Sequence, residues 1–110
     1  MEAVVEPVQS VLSLDIETWQ PEIQATMSEQ FALALENVLT IVRAAGGDAP
    51  NLARLLIFVT DKKEYTANLK QLGAVYRQLM GKHFPATSLL EVNALVEDLA
   101  KVEIEAIAVI

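Results

Sequence analysis

Few of the side chains that usually carry out chemistry occur in this chain of 110 residues. The absence of cysteine excludes disulfides, thiolate nucleophiles and thiolate metal ligands. His83 is the only histidine; it has the chemistry of a general base, but a lone histidine in a helix-to-strand turn is more often an ordinary surface residue. The carboxylates lack the spacing of a metal-binding loop, and a single histidine argues against zinc. We expect no metal site and no cofactor.

Composition and length narrow the class of protein. A chain of this length with 53% apolar residues fits one soluble domain spanning residues 1–110. Its apolar runs are far shorter than the roughly 20 residues of a membrane-spanning helix, and the N-terminus lacks the positive charge of a secretory signal. The net charge of −7 and the scattered Lys and Arg residues are unfavourable for nucleic-acid binding. We expect a cytoplasmic protein that binds neither membrane nor nucleic acid.

Two segments have helical periodicity. The first, near residues 27–45, begins with a capping box at Thr26 and Glu29 and ends at Gly46-Gly47. The second, near residues 62–80, begins after Asp61 and ends at Gly81. Each places apolar residues on one stripe, which should face a core: Phe31, Leu35, Val38 and Val42 in the first, and Tyr65, Leu69, Leu72, Tyr76 and Leu79 in the second. Core packing accounts for the two tyrosines.

Gly73 lies within the second helical segment and disfavours the helix by about 1 kcal/mol relative to alanine. It either marks the close approach of another backbone or is simply tolerated there.

The rest of the chain predicts a sheet. Residues 54–60 form a continuous apolar run, typical of a strand buried on both faces, and two further strands are expected at 87–95 and 101–110. One or two strands are expected within residues 3–14. The resulting order is α+β, with two helices that cover one face of the sheet. Because the strands are apolar on both sides, a symmetric oligomer is the simplest cover for the other face.

Four motifs, in order, resemble the RidA (YjgF) family, also described as endoribonuclease L-PSP-like. The resemblance covers about residues 10–110, and the motifs are specific together rather than singly. They are Asn37-Val38-Leu39 with Arg43-Ala44-Ala45-Gly46-Gly47, Ile57-Phe58-Val59-Thr60-Asp61, Phe84-Pro85-Ala86-Thr87-Ser88, and Val102-Glu103-Ile104-Glu105-Ala106-Ile107-Ala108-Val109. The resemblance implies a chorismate-mutase-like mixed sheet and a homotrimer around a central sheet barrel, with a small-molecule cleft at each subunit interface.

The activity that the resemblance implies is hydrolysis of 2-imino or enamine intermediates to keto compounds and ammonia. The first glutamate of the closing motif, Glu103, would orient the attacking water. Without the resemblance, Glu103 would be assigned as an ordinary solvated carboxylate in a row with Lys101 and Glu105.

The chain departs from the family pattern at the expected ligand site, for which the resemblance implies Ser10, Val11, Phe84, Thr87, Ser88 and Leu89. The arginine that would clamp a substrate carboxylate is Thr87, which offers a neutral hydroxyl instead of a bidentate ion pair. Leu89 replaces a pocket cysteine, and Ser10 aligns with a glycine. The resemblance implies an opening segment that has no counterpart before Met1, so we expect either a truncated chain or a true start upstream of Met1. Whether Arg54 or Arg77 reaches the cleft instead is open.

Three functions remain. The first is a deaminase, whose activity is in question because of Thr87. In it, the hydroxyl of Thr87 or Ser88 would donate a hydrogen bond to the substrate. The alternative is a non-catalytic trimer that binds or senses a small molecule. RNA cleavage ranks last, because the chain lacks both a basic surface and a pair of histidines for acid-base catalysis. Trp19 is either an interface anchor or a cap on the edge of the core.

Overall fold

The computed structural model describes residues 2–9, 14–15, 20–21 and 26–110, whose elements follow an α+β order. The strands are β1 (Glu2–Gln9), β2 (Leu14–Asp15), β3 (Gln20–Pro21), β4 (Leu52–Val59), β5 (Ala86–Glu91) and β6 (Val102–Val109). The helices are α1 (Met27–Ala44), α2 (Lys62–Ala67) and α3 (Leu69–Met80), with a short 3-10 turn at Ala49–Asn51 before β4. Trp19 lies outside the described residues.

Four strands form one mixed sheet in the order β1-β6-β4-β5. The β4–β5 pair is parallel and the others are antiparallel, while β2 and β3 form a separate small ladder. Side chains alternate along β4, with Leu55, Ile57 and Val59 buried and the residues between them more exposed. We call the side bearing these buried residues the helix face, because α1 and α3 pack there. The opposite side is the outer face.

Helix α1 follows the sequence prediction closely. The Thr26 hydroxyl accepts a hydrogen bond from the Glu29 backbone N–H at 3.2 Å, as expected of a capping box. After Ala44, Gly46 adopts φ +95°, a conformation that favours glycine, and its N–H donates to the Arg43 carbonyl. The predicted helix over 27–45 is therefore confirmed. The helix itself ends at Ala44, and Ala45 is its C-cap.

The predicted helix over residues 62–80 is divided into α2 and α3. Asp61 caps α2 as expected, accepting from the backbone N–H groups of Lys63 and Glu64. The break lies at Asn68, whose side-chain amide donates to the Glu64 carbonyl at 2.8 Å, in competition with the regular backbone ladder. The prediction of two helices is therefore wrong: the described part of the chain has three, of which α2 buries none of its residues.

The strands differ from their predicted bounds where neighbouring strands end. Strand β5 was expected over 87–95 but stops at Glu91, because its partner β4 stops at Val59, directly opposite. On the outer face, Leu56 and Phe58 are only half-buried, so within one chain β4 is not buried on both faces. None of the helices in the described ranges is long and apolar enough to cross a membrane.

Candidate functional site

An open cleft of ≈ 260 Å³ lies on the helix face, between helices α2 and α3 and the parallel strands β4 and β5. Its lining is mainly apolar and aromatic, with one cation, Arg77, and one aliphatic hydroxyl, Thr87. The lining residues are Phe31, Ile57, Tyr65, Leu69, Leu72, Gly73, Tyr76, Arg77, Phe84 and Thr87.

The aromatic wall of this cleft is held by specific contacts. The Tyr76 hydroxyl donates to the His83 carbonyl at 2.6 Å, and the Tyr76 ring stacks on Phe84 with a centroid separation of 5.3 Å. Burial raises the pKa of both Tyr76 and Tyr65 above the usual tyrosine range. Phe84 remains 71% exposed. The wall is therefore ordered, and it presents aromatic surface to solvent.

Gly73 contributes open space to the cleft. A Cβ atom built at this position would meet only the Nη1 atom of Arg77, at 3.5 Å, and no backbone atom. Of the two alternatives for Gly73, the close approach of another backbone is therefore excluded among the described residues. The missing side chain instead leaves room between α3 and the sheet.

Thr87 lines the cleft but does not replace the charge of an arginine. It pairs with Leu55 on the helix face of β5, and its hydroxyl donates to the Pro85 carbonyl at 2.9 Å. The cation that lines the cleft is Arg77. The ion pairs among the described residues are Arg43–Asp48 and Lys101–Glu64, so Arg77 has no ion-pair partner within that part of the chain.

Arg54, the other arginine left open by the sequence, does not line the cleft. It is exposed and pairs with Ala86 and Ile107, one residue before the buried Leu55. This places Arg54 on the outer face.

Glu103 also lies on the outer face, half-buried and paired with Phe58 of β4. The expected row of Lys101, Glu103 and Glu105 is not formed. Lys101 precedes β6, and its ammonium group binds the Glu64 carboxylate of α2 at 2.8 Å. Glu103 and Glu105 therefore remain as two carboxylates on the outer face, beside the apolar Leu56 and Phe58 and on the same face as Arg54.

The other predicted ligand residues divide between the two faces. Phe84 and Thr87 line the cleft, and Leu89 lies two residues along β5 on the same face, 41% exposed. Ser88 pairs with Leu56 on the outer face, as Glu103 pairs with Phe58. Ser10 and Val11 lie outside the described residues. Within one chain, the sheet therefore separates Thr87 from Ser88 and Glu103.

His83 is not the surface residue that the sequence suggested. It is half-buried, and its Nε2 atom lies 2.7 Å from the Leu52 carbonyl. Because a carbonyl oxygen can only accept, Nε2 carries the proton and donates. The imidazole thus ties the turn before β5 to the start of β4. Across the described ranges, no group of three or more His, Asp or Glu side chains is arranged to hold a metal ion.

Gly73, Tyr65 and Tyr76 belong to no motif that would assign them to a site from the sequence, and the role of Arg77 is open at that level. A signal was available in the spacing of α3. Leu69, Gly73 and Arg77 recur every four residues, so they lie on one side of the helix beside the apolar stripe. A glycine and an arginine in such a position indicate a gap at the helix surface rather than a filled core.

Residues 12–110 match the family described as Endoribonuclease L-PSP. The chain belongs to this family. The RidA (YjgF) resemblance predicted from the four motifs is thereby confirmed, since the similar proteins carry those names. The chain is 37% identical over 91 residues to the putative reactive intermediate deaminase TdcF of Escherichia coli K12. It is 36% identical over 91 residues to the 2-iminobutanoate/2-iminopropanoate deaminase of the same organism. Each alignment covers 80% of this chain and 67% of the relative.

Solved structures of RidA-family proteins share the fold. The YjgF gene product of E. coli superposes with a TM-score of 0.79 at 30% identity, covering 98% of this chain and 80% of that one. E. coli TdcF with bound serine gives a TM-score of 0.77 at 32% identity, covering 99% and 80%. The mixed sheet with helices on one face is therefore the fold of this family.

Proposed function

We propose that this RidA-family protein hydrolyses small imines or enamines to keto compounds and ammonia, in clefts formed between copies of the chain. The observation that carries the proposal is the separation of Thr87 and Glu103 by the sheet. A site that uses both residues must take one from each of two chains. Two relatives named as deaminases support the reaction class.

The outer face supports the assembly. It presents half-buried Leu56, Phe58 and Ile107, and Leu90 is 49% exposed. An apolar sheet face of this kind is covered most simply by neighbouring copies of the chain. We propose a homotrimer, and light scattering should give three times the 12.0 kDa mass of one chain. A mass equal to one chain would contradict the intersubunit cleft.

Glu103 supplies the chemistry in this proposal. Its carboxylate accepts a hydrogen bond from a water molecule and takes a proton as the water oxygen adds to the carbon of the C=N bond. That proton passes to the nitrogen, which gives a carbinolamine. Glu103 then moves the proton of the new hydroxyl to the nitrogen, so ammonia leaves as the C–N bond breaks and the C=O bond forms. Burial of the outer face would exclude competing water and fix the position of the carboxylate.

Release of keto acid can be followed with an amino-acid oxidase that generates the imine in the same solution. Glu103→Gln should lower the enzyme-dependent rate by about 100-fold or more, the usual contribution of a general base. Glu105→Gln is the matched control, because it removes a carboxylate from the same face two residues along β6. An equal loss in both variants would contradict a specific role for Glu103.

A second candidate is a trimer that binds a small molecule without catalysis. It is favoured by the geometry of Thr87, whose hydroxyl hydrogen is already donated to Pro85. Thr87→Arg distinguishes the two candidates. If only this variant accelerates imine hydrolysis, the natural protein is a binding protein on a deaminase scaffold; if the wild type is already active, the second candidate fails.

A further inference from the structure

We propose that the cleft beside Thr87 selects a carboxylate ligand with a bulky apolar group, such as an aromatic or branched carboxylic acid. The apolar group enters between α3 and strands β4 and β5, and the carboxylate binds Arg77. As a statement about substrates, this inference rests on the proposed function. As a statement about binding, it rests on the cleft alone.

The size of the cleft fits one ring or branched group. Its volume is ≈ 260 Å³. Apolar cavities of roughly 150 Å³ already hold benzene, and sites for drug-sized molecules begin near 300 Å³. Tyr65, Tyr76 and Phe84 present aromatic surface, and Leu69 is 51% exposed at the same site. A phenyl, indole or isobutyl group would cover this surface.

Gly73 makes the space available. Because a Cβ here would meet only the Arg77 side chain, the cleft depends on the absence of a side chain at this position rather than on a movement of the backbone. A larger residue would project from α3 toward the sheet and occupy the volume that the ligand needs. Gly73 is therefore the residue that determines the size of the accepted group.

Arg77 determines the charge of the ligand. Its guanidinium group lies over Gly73, with Nη1 within 3.5 Å of the Cβ position, and has no ion-pair partner among the described residues. A guanidinium binds a carboxylate through two parallel hydrogen bonds. Thr87 cannot take this role without giving up its bond to the Pro85 carbonyl. The anion-binding group of the cleft is thus on α3 and not on β5.

Calorimetry with phenylacetate tests the inference, because this acid has no C=N bond and binding can be measured without catalysis. Phenylacetate should bind at least about tenfold more tightly than acetate, which lacks the ring, and than benzyl alcohol, which lacks the charge. Equal affinity for all three would overturn the inference. Arg77→Gln should weaken phenylacetate binding about tenfold and leave benzyl alcohol unchanged. Lys70→Gln, an exposed charge on the same helix, is the matched control.

Gly73→Leu should abolish phenylacetate binding while the protein keeps its wild-type circular dichroism spectrum and mass in solution. Unchanged phenylacetate affinity in Arg77→Gln or Gly73→Leu would overturn the inference. So would a change of assembly mass in Gly73→Leu, because the cleft would then be a contact between copies rather than a site for a small ligand. If phenylacetate binds as expected but no imine is hydrolysed, the proposed function fails and the binding site stands. If imine is hydrolysed but phenylacetate does not bind, the binding site fails and the proposed function stands.

Discussion

Helices α1 and α3 both carry an apolar stripe toward the sheet, yet they pack differently. Eight residues of α1 are buried, along its whole length, whereas α3 buries only Leu72 and Met80. The first part of α3 follows the break at Asn68 and contains Gly73, and this is where the cleft lies. Periodicity thus indicates which side of a helix faces inward. How closely that side packs depends on interruptions of the helix and on the size of single side chains.

The largest expected difference between the two helices is in the cost of removing a leucine. Leu35 of α1 is fully buried, whereas Leu69 of α3 is 51% exposed. Leu35→Ala should lower the free energy of unfolding by about 2–5 kcal/mol, and Leu69→Ala by less than about 0.5 kcal/mol. Urea denaturation of both variants measures this contrast. Similar losses would show that α3 packs as tightly as α1.

A smaller effect is expected at Gln30, a buried polar residue of α1. Its side-chain oxygen accepts from the Lys101 backbone N–H at 2.8 Å, and its nitrogen donates to the Leu99 carbonyl at 3.2 Å. Gln30→Ala leaves these backbone groups without that partner and should cost about 1–3 kcal/mol. Gln78→Ala, at an exposed position of α3, is the control and should change little. Equal stability of the two variants in urea would contradict the anchoring role of Gln30.

Glycine-to-alanine substitutions near the two helices should differ in their effect on stability. Gly73→Ala should stabilise the protein by about 0.5–1 kcal/mol, because alanine favours the helix and the added methyl group has space. At Gly47, after α1, a Cβ would lie 3.0 Å from Ile110 and 3.1 Å from Val42. Gly47→Ala should therefore give no such gain. Thermal denaturation of both variants decides the matter, and a loss of stability in Gly73→Ala would show that the cleft is not open there.

The smallest effect concerns pH. Burial raises the pKa of Tyr76 above its unfolded value of 10.0, so the folded state holds the proton more tightly. This contribution is complete below that value and is lost as the pH rises from it through the raised pKa of the folded state. Tyr76→Phe should therefore reduce the loss of stability above pH 10, and the double variant with Tyr65→Phe should reduce it further. Urea midpoints from pH 8 to 11 measure the slope; an unchanged slope in the double variant would contradict the account.

The sequence predicted local features better than those that depend on neighbouring elements. The ends of α1 followed from Thr26 and Gly46, because caps act within one turn of the chain. The break at Asn68 was missed, since its side chain bonds to a carbonyl that the periodicity does not reveal. Strand β5 was predicted too long because its end is set by β4 and not by its own residues.

The candidate site divides in the same way. The motif around Phe84 and Thr87 led to the cleft, and both residues line it. The motif could not show that Glu103 lies across the sheet, since this depends on the registers of β5 and β6 against β4. The separation of the two residues is a property of the sheet, and it is the basis for the proposed site between copies.

Mixed assemblies of two inactive variants test this proposal most directly. Glu103→Gln removes the carboxylate, and Thr87→Trp fills the cleft on the other face. If each site takes one face from each of two copies, refolding equal amounts together should restore about a quarter of the wild-type rate of imine hydrolysis, since both faces are intact in about one of four random pairs. No activity above that of the separately refolded variants would place both residues in a single chain's site and contradict the account.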